Sequence, residues 1–121
     1  MLEIELQKLI QLEASKQGIR LWRNNIGATY DQTGRFIRYG LANESAAVNH
    51  NLKSGDLIGI TPRIIGPEDV GQTLGQFTSI EVKKPGWVYT GTARERAQQA
   101  WIDLILRLGG IAKFMNGGFH E

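Results

Sequence analysis

Residues 92–115 carry the firmest local instructions in the chain, and they dictate a helix that runs straight into a strand. Thr92-Ala93-Arg94-Glu95 fits a capping box, in which a hydroxyl and a carboxylate close the free N–H groups of the first turn. Ala97, Trp101, Leu104, Ile105 and Leu108 recur at helical spacing and predict a buried stripe. Gly109-Gly110 ends the helix, and Ile111-Ala112-Lys113-Phe114-Met115 reads as a short closing strand. A helix delivered into a strand in this way belongs to a layered α/β architecture.

The remaining segments fit around that unit. Leu2 to Lys16 predicts an amphipathic helix with Leu2, Leu6, Leu9 and Ile10 on its buried stripe, and Gly18 as its stop. Ile19 to Asn24 alternates apolar and polar residues, as a half-buried strand does. Asp31 to Gly34 has turn chemistry, Arg35 to Tyr39 is a short strand, and Asn43 to Asn51 reads as polar loop. Asp56 to Ile60 is an apolar strand, with Ser79 to Lys83 as its expected neighbour. The connection from Thr61 to Phe77 is long for a hairpin and predicts a helical turn around Pro67 to Val70. At 121 residues the expectation is a single domain over 1–121. Its fold class is α/β, a small mixed sheet flanked by helices: helix, about three strands, helix, strand.

Composition removes whole classes of function. There is no cysteine, which excludes disulfides, thiolate metal sites and cysteine nucleophiles. His50 and His120 share no ligand spacing, so a zinc site is not expected. No apolar run approaches the roughly 20 residues of a membrane span, and the acidic, helix-patterned N-terminus does not read as a secretory signal. A soluble cytoplasmic protein is the expectation. Neither phosphate-loop nor dinucleotide-binding glycine motifs occur, so no nucleotide cofactor is expected. The net charge is only +2, but Arg20, Arg23, Arg35, Arg38, Lys53 and Arg63 outnumber Asp31, Glu44 and Asp56 between positions 20 and 63. Such a lean suits a phosphate-facing surface.

The chemistry concentrates at Asp56 and at Ile80-Glu81-Val82-Lys83. Residues two apart in a strand share a face, so Glu81 and Lys83 project together. An acid and a lysine on one face of an apolar strand are costly inside a core, and the cost falls at a wet cleft. Asp56 opens a strand after a glycine turn, and pairing of the two strands would put it beside Glu81. Two carboxylates at one point make a hard oxygen site for Mg²⁺ or Mn²⁺.

Taken in order, four stretches resemble the virus-type replication-repair nuclease (VRR-NUC) family of the PD-(D/E)xK nuclease superfamily. They are Leu21 to Gly27, Ser54 to Gly59, Phe77 to Lys83, and Arg96 to Trp101 running on to Ala112. The resemblance spans about Glu3 to Phe114. It implies a restriction-endonuclease-like fold, with Asp56 and Glu81 as metal ligands, the main-chain carbonyl of Val82 in the metal shell, and Lys83 as the catalytic lysine. It places Gln98 near the active centre and asks the first helix for one more glutamate. Glu3 and Glu5 both qualify; spacing to Gly18 and Arg23 favours Glu3. Gly55 stands where the superfamily has a proline before the aspartate, which loosens that turn.

Arg23, Asn24 and Asn25 are candidate phosphate contacts, and Trp87, after Pro85-Gly86, is a candidate to stack on bases. The resemblance implies a metal-dependent DNA endonuclease in a phage or prophage setting, working as a homodimer in a bacterial cytoplasm, by nicking or by structure-directed cleavage of branched DNA. The rival from another class is a non-catalytic nucleic-acid-binding module of the same fold. A rival enzyme on RNA differs at the 2′-hydroxyl, and nothing in the sequence reads that group.

Overall fold

The computed structural model describes residues 1–119, a mixed α/β chain that divides into two compact units, Met1–Gly59 and Ile60–Glu121. His120 lies outside the described residues. Among the described residues no helix is long and apolar enough to cross a membrane.

The first unit begins with α1 (Glu3–Lys16), followed by β1 (Arg20–Arg23), the hairpin strands β2 (Gly27–Tyr30) and β3 (Phe36–Tyr39), and α2 (Ala46–Asn51). It ends in β4 (Leu57–Ile60), whose last residue opens the second unit. β1 pairs with β4. Their approach is tight at Gly59, where a Cβ would run into the Arg20 carbonyl. The β2–β3 hairpin is antiparallel, with Gly27 opposite Tyr39 and Tyr30 opposite Phe36. Asp31 Oδ1 orders its turn by accepting from the Thr33 N–H, the Thr33 hydroxyl and the Arg35 N–H. Those bonds, led by the Thr33 hydroxyl, hold the Asp31 carboxyl below its ordinary range.

Three expectations for this unit need correction. The ladder partner of β4 is β1, where the sequence predicts Ser79 to Lys83, so strand pairing does not bring Asp56 beside Glu81. The packed stripe of α1 is half-buried Ile4, Gln7 and Gln11 with buried Ala14, while Leu2, Leu6, Leu9 and Ile10 are exposed. The Gln11 amide donates to the Leu21 carbonyl at 3.1 Å, so the helix docks on β1. A strand of four residues covers only a narrow stripe of such a helix. The segment read as polar loop contains α2, started by Ser45, whose hydroxyl accepts from the Val48 N–H at 3.2 Å. Just before it, Asn43 is buried and clamps the hairpin. Its Nδ2 donates to the carbonyls of Gly27 at 2.8 Å and Tyr39 at 2.9 Å.

The second unit holds a 3-10 turn at Pro67–Asp69, then β5 (Thr78–Val82), α3 (Ala93–Arg107) and β6 (Ile111–Met115). The turn falls where the sequence predicts one. β5 and β6 run parallel, Thr78 opposite Ile111 and Val82 opposite Met115, with α3 as the crossover. The Thr92 hydroxyl accepts from the Glu95 N–H at 3.1 Å, completing the expected capping box. At the other end the Gly110 N–H reaches the Ile105 carbonyl at 3.0 Å and the Gly109 N–H reaches Leu106 at 3.1 Å. This Schellman closure requires a left-handed residue, and Gly109 supplies it at φ 90°. Ile102 and Ile105 are the buried apolar residues of α3, with Gln98, Leu104 and Leu108 half-buried. The stripe is therefore rotated from the expected one, leaving Ala97 and Trp101 on an exposed flank.

Candidate active site

The strand β5 and the helix α3 bring Glu81, Lys83 and Gln98 together. Glu81 sits opposite Phe114 in the parallel ladder, and the Lys83 N–H continues that ladder to the Met115 carbonyl at 2.8 Å. Gln98 lies one turn before Ile102 on the packed face of α3, so anchoring the helix aims its amide at β5. Gln98 Nε2 donates to Glu81 Oε1 at 2.9 Å, and Gln98 Oε1 accepts from Lys83 Nζ at 2.8 Å. Flipping that amide would set N–H against ammonium and carbonyl against carboxylate, so the charges on β5 fix its orientation. Lys83 and Glu81 themselves stand 3.9 Å apart, wider than a hydrogen-bonded ion pair. The amide bridge thus couples the two charges without letting them collapse together.

Lys83 is the more enclosed of the pair, 15% exposed against 40% for Glu81. Its ammonium lies 5.4 Å from the Trp87 ring and 5.7 Å from the Phe114 ring, and the two rings are 4.9 Å apart. Aromatic faces carry negative potential and compensate a desolvated cation. Trp87 is itself pinned: its indole N–H donates to Glu95 Oε2 at 2.8 Å, and its carbonyl accepts from Asn116 Nδ2 at 3.1 Å. Glu95 is 6% exposed. Its Oε1 accepts from the Thr92 N–H, the Thr90 N–H and the Thr90 hydroxyl. Led by the Thr92 N–H, these bonds bring its carboxyl down to about 2. The capping box was legible in the sequence, but its extension to Trp87 crosses a loop and was not. Trp87, expected at a nucleic-acid contact, is placed in the wall around Lys83.

The other expected residues fall as follows. Asp56 belongs to the first unit, where its side chain is exposed and its carbonyl accepts from the Asn24 N–H at 2.8 Å. The Asn24 side chain is committed within that unit. Its Nδ2 donates to Ser54 Oγ at 2.8 Å and the Gly55 carbonyl at 2.9 Å, and its Oδ1 accepts from the Leu41 N–H at 3.3 Å. Asn24 therefore orders the turn that presents Asp56 rather than offering its amide to a phosphate. Arg23 and Asn25 are exposed. Glu5 caps α1 through Oε2 and the Leu2 N–H at 2.9 Å, while Glu3 is an exposed first-turn residue. Val82 closes β5 directly after Glu81, with its side chain outward.

Among the described residues no three His, Cys, Asp or Glu side chains gather as a metal-binding cluster. Beside Lys83 and Gln98, the group the second unit offers a cation is the hard carboxylate of Glu81. Both contacts of Glu81 fall on Oε1, which leaves Oε2 for a ligand. Beside it, Glu81, Arg94, Ala97, Gln98 and Trp101 line a cavity of about 320 Å³. Trp101 is 36% exposed there, and its indole N–H donates to Ser79 Oγ at 2.9 Å.

Comparison of the chain with models of known families, with curated proteins and with solved structures gave no match.

Proposed function

We propose that the chain is a metal-dependent phosphodiesterase acting on DNA, an endonuclease of the restriction-endonuclease-like class. The observation that carries this reading is the Lys83–Gln98–Glu81 bridge. A solvated acid–lysine pair needs neither an enclosed ammonium nor an amide holding the charges apart. Keeping a lysine charged in a largely enclosed place is costly, and it becomes useful where negative charge develops during a reaction. The non-catalytic binding module gives no reason for that expense.

Glu81 Oε2 suits Mg²⁺ or Mn²⁺, with the Val82 carbonyl as its neighbouring oxygen donor. On the resemblance alone, Asp56 has the role of second carboxylate ligand and Glu3 that of a further acid. The metal, when bound, supplies a Lewis acid for a phosphoryl oxygen and lowers the pKa of a water. Lys83 counters charge on the phosphate or orients the attacking water. Gln98 holds the ammonium and the carboxylate in register, and the rings of Trp87 and Phe114 exclude water from the far side of Lys83. The resemblance extends the proposal to a homodimer that nicks DNA or cleaves branched DNA in a phage or prophage setting.

The test is cleavage of supercoiled DNA with Mn²⁺, Mg²⁺ or chelator. Wild type should cut with either metal and not with chelator. Lys83→Ala should lose roughly a hundredfold or more in rate while still binding metal in calorimetry. Asp56→Ala should lose both. Wild-type cleavage by Lys83→Ala overturns the assignment.

A further inference from the structure

We propose that the cavity between β5 and α3 is a subsite for one unpaired nucleotide, with its phosphate on Arg94 and its base against Ala97 and Trp101. The idea rests on the phosphodiesterase reading, because the cavity shares Glu81 with that site. Arg94, Ala97, Gln98 and Trp101 follow the i, i+3, i+4, i+7 spacing of one helix face. Gln98 belongs to the bridge, and the other three point to a ligand.

Arg94 is the basic residue of α3 that helix stability does not explain. A cation in the first turn opposes the helix dipole, and Arg94 is the second residue of α3. Its neighbour Arg96 donates to the Gly91 carbonyl at 2.7 Å, and Arg107 sits in the last turn, where the dipole favours it. Arg94 is exposed and makes no hydrogen bond or ion pair among the described residues, Glu81 included. A guanidinium that lines the same cavity as a carboxylate without pairing with it suits a ligand that carries its own anion.

Trp101 supplies the second half. Its bond to Ser79 fixes a large ring at the cavity wall, and Ala97, one turn earlier, leaves room for a planar group. A volume of about 320 Å³ is near the lower limit of ligand cavities and admits one nucleotide, not a stacked pair. A base inside a duplex is stacked and cannot enter. The ligand is therefore a nucleotide in a single strand, a frayed end or a gap, taken by aromatic contact and phosphate charge together.

The experiment is fluorescence anisotropy of the full chain with a labelled single-stranded oligonucleotide and its duplex. It is run with chelator so that binding is read without cleavage. Arg94→Gln should weaken single-strand binding about fivefold to tenfold and reduce the salt-dependence slope by about 0.7, the value for one phosphate contact. Trp101→Leu should weaken it by about tenfold or more, and Trp101→Phe, which keeps a ring, should recover most of that. Arg107→Gln should change little, and duplex binding should respond less than single-strand binding. Equal losses in Arg94→Gln and Arg107→Gln, equal effects on duplex, or no oligonucleotide binding at all would overturn the subsite. Binding that depends on Arg94 and Trp101 without cleavage under any metal keeps the subsite and removes the enzyme. Metal-dependent cleavage with Arg94→Gln indistinguishable from wild type does the reverse.

Discussion

Both units are organised around side-chain amides, but the amides of the two units hold different things. In the first unit Asn43 and Asn24 bind mainly backbone groups. Asn43 joins the ends of a hairpin, and Asn24 ties the end of β1 to the segments around Leu41 and Gly55. In the second unit Gln98 binds two charges, the Glu81 carboxylate and the Lys83 ammonium. An amide between carbonyls makes shape, because backbone partners offer nothing to a reacting group; the one charged partner of Asn43, the Arg38 guanidinium at 3.3 Å, only adds to the clamp. An amide between ions makes a poised pair, because both partners keep their charge while their distance is fixed. The difference separates polar networks that build a fold from those that can do chemistry.

Substitution should expose this contrast. The largest effect on folding is expected from Asn43→Ala. It leaves the Gly27 and Tyr39 carbonyls without their donor in a buried place, at about 1–3 kcal/mol for such a group. Denaturant melts should show the loss, and a shift below about 0.5 kcal/mol would mean that the hairpin does not need its clamp. Gln98→Leu should do the opposite, costing little stability while lowering cleavage about tenfold, which corresponds to about 1.4 kcal/mol of transition-state stabilisation. If Gln98→Leu unfolds the chain and leaves the rate per folded molecule intact, the two amides are alike and the contrast fails.

A third effect is expected from pH. The Glu95 carboxyl is held at about 2 against an ordinary 4.5. Its contribution to stability is present above pH 4.5 and is lost as the pH falls toward 2, because protonation gives up the bonds from Thr92, Thr90 and Trp87. Tryptophan emission and thermal melts followed from pH 6 to pH 2 should report it, and Glu95→Gln should flatten the profile. An identical acid profile in that variant would show that other carboxylates govern the transition.

What the sequence made legible follows the range of the interactions. The capping box of Thr92 and Glu95, the glycine stop and β6 are local, and they stand where the pattern puts them. Glu81 and Lys83 share a face because a strand has a period of two, which also needs no tertiary knowledge. Apart from α2, whose Ser45 cap reaches only to Val48, the misreadings are non-local. Helical spacing puts Trp101 on a stripe with Leu104, Ile105 and Leu108, but Ile102 and Ile105 fill the buried place and turn it outward. The leucines of α1 make a good stripe, yet the helix packs by Ile4, Gln7, Gln11 and Ala14. Asn43 lies in a loop, as the sequence predicts, but its bond to Gly27 belongs to a turn-back that no short window contains. The resemblance puts Gln98 near the active centre, but its bridge between Glu81 and Lys83 is not legible in the sequence, since residues so far apart give no periodic signal.

The parallel pairing of β5 and β6 has a consequence for how the molecule is made. A hairpin such as β2–β3 can close from its turn as soon as both arms exist, because its contacts are local. β5 cannot do so: its partner lies beyond the whole of α3, so the loop-closure entropy comes first and the ladder afterwards. During synthesis Glu81 and Lys83 therefore emerge well before Phe114 and Met115, which complete the surroundings of the lysine. The nascent chain carries the ionic residues as ordinary solvated side chains, and they acquire their special setting only when the final strand docks.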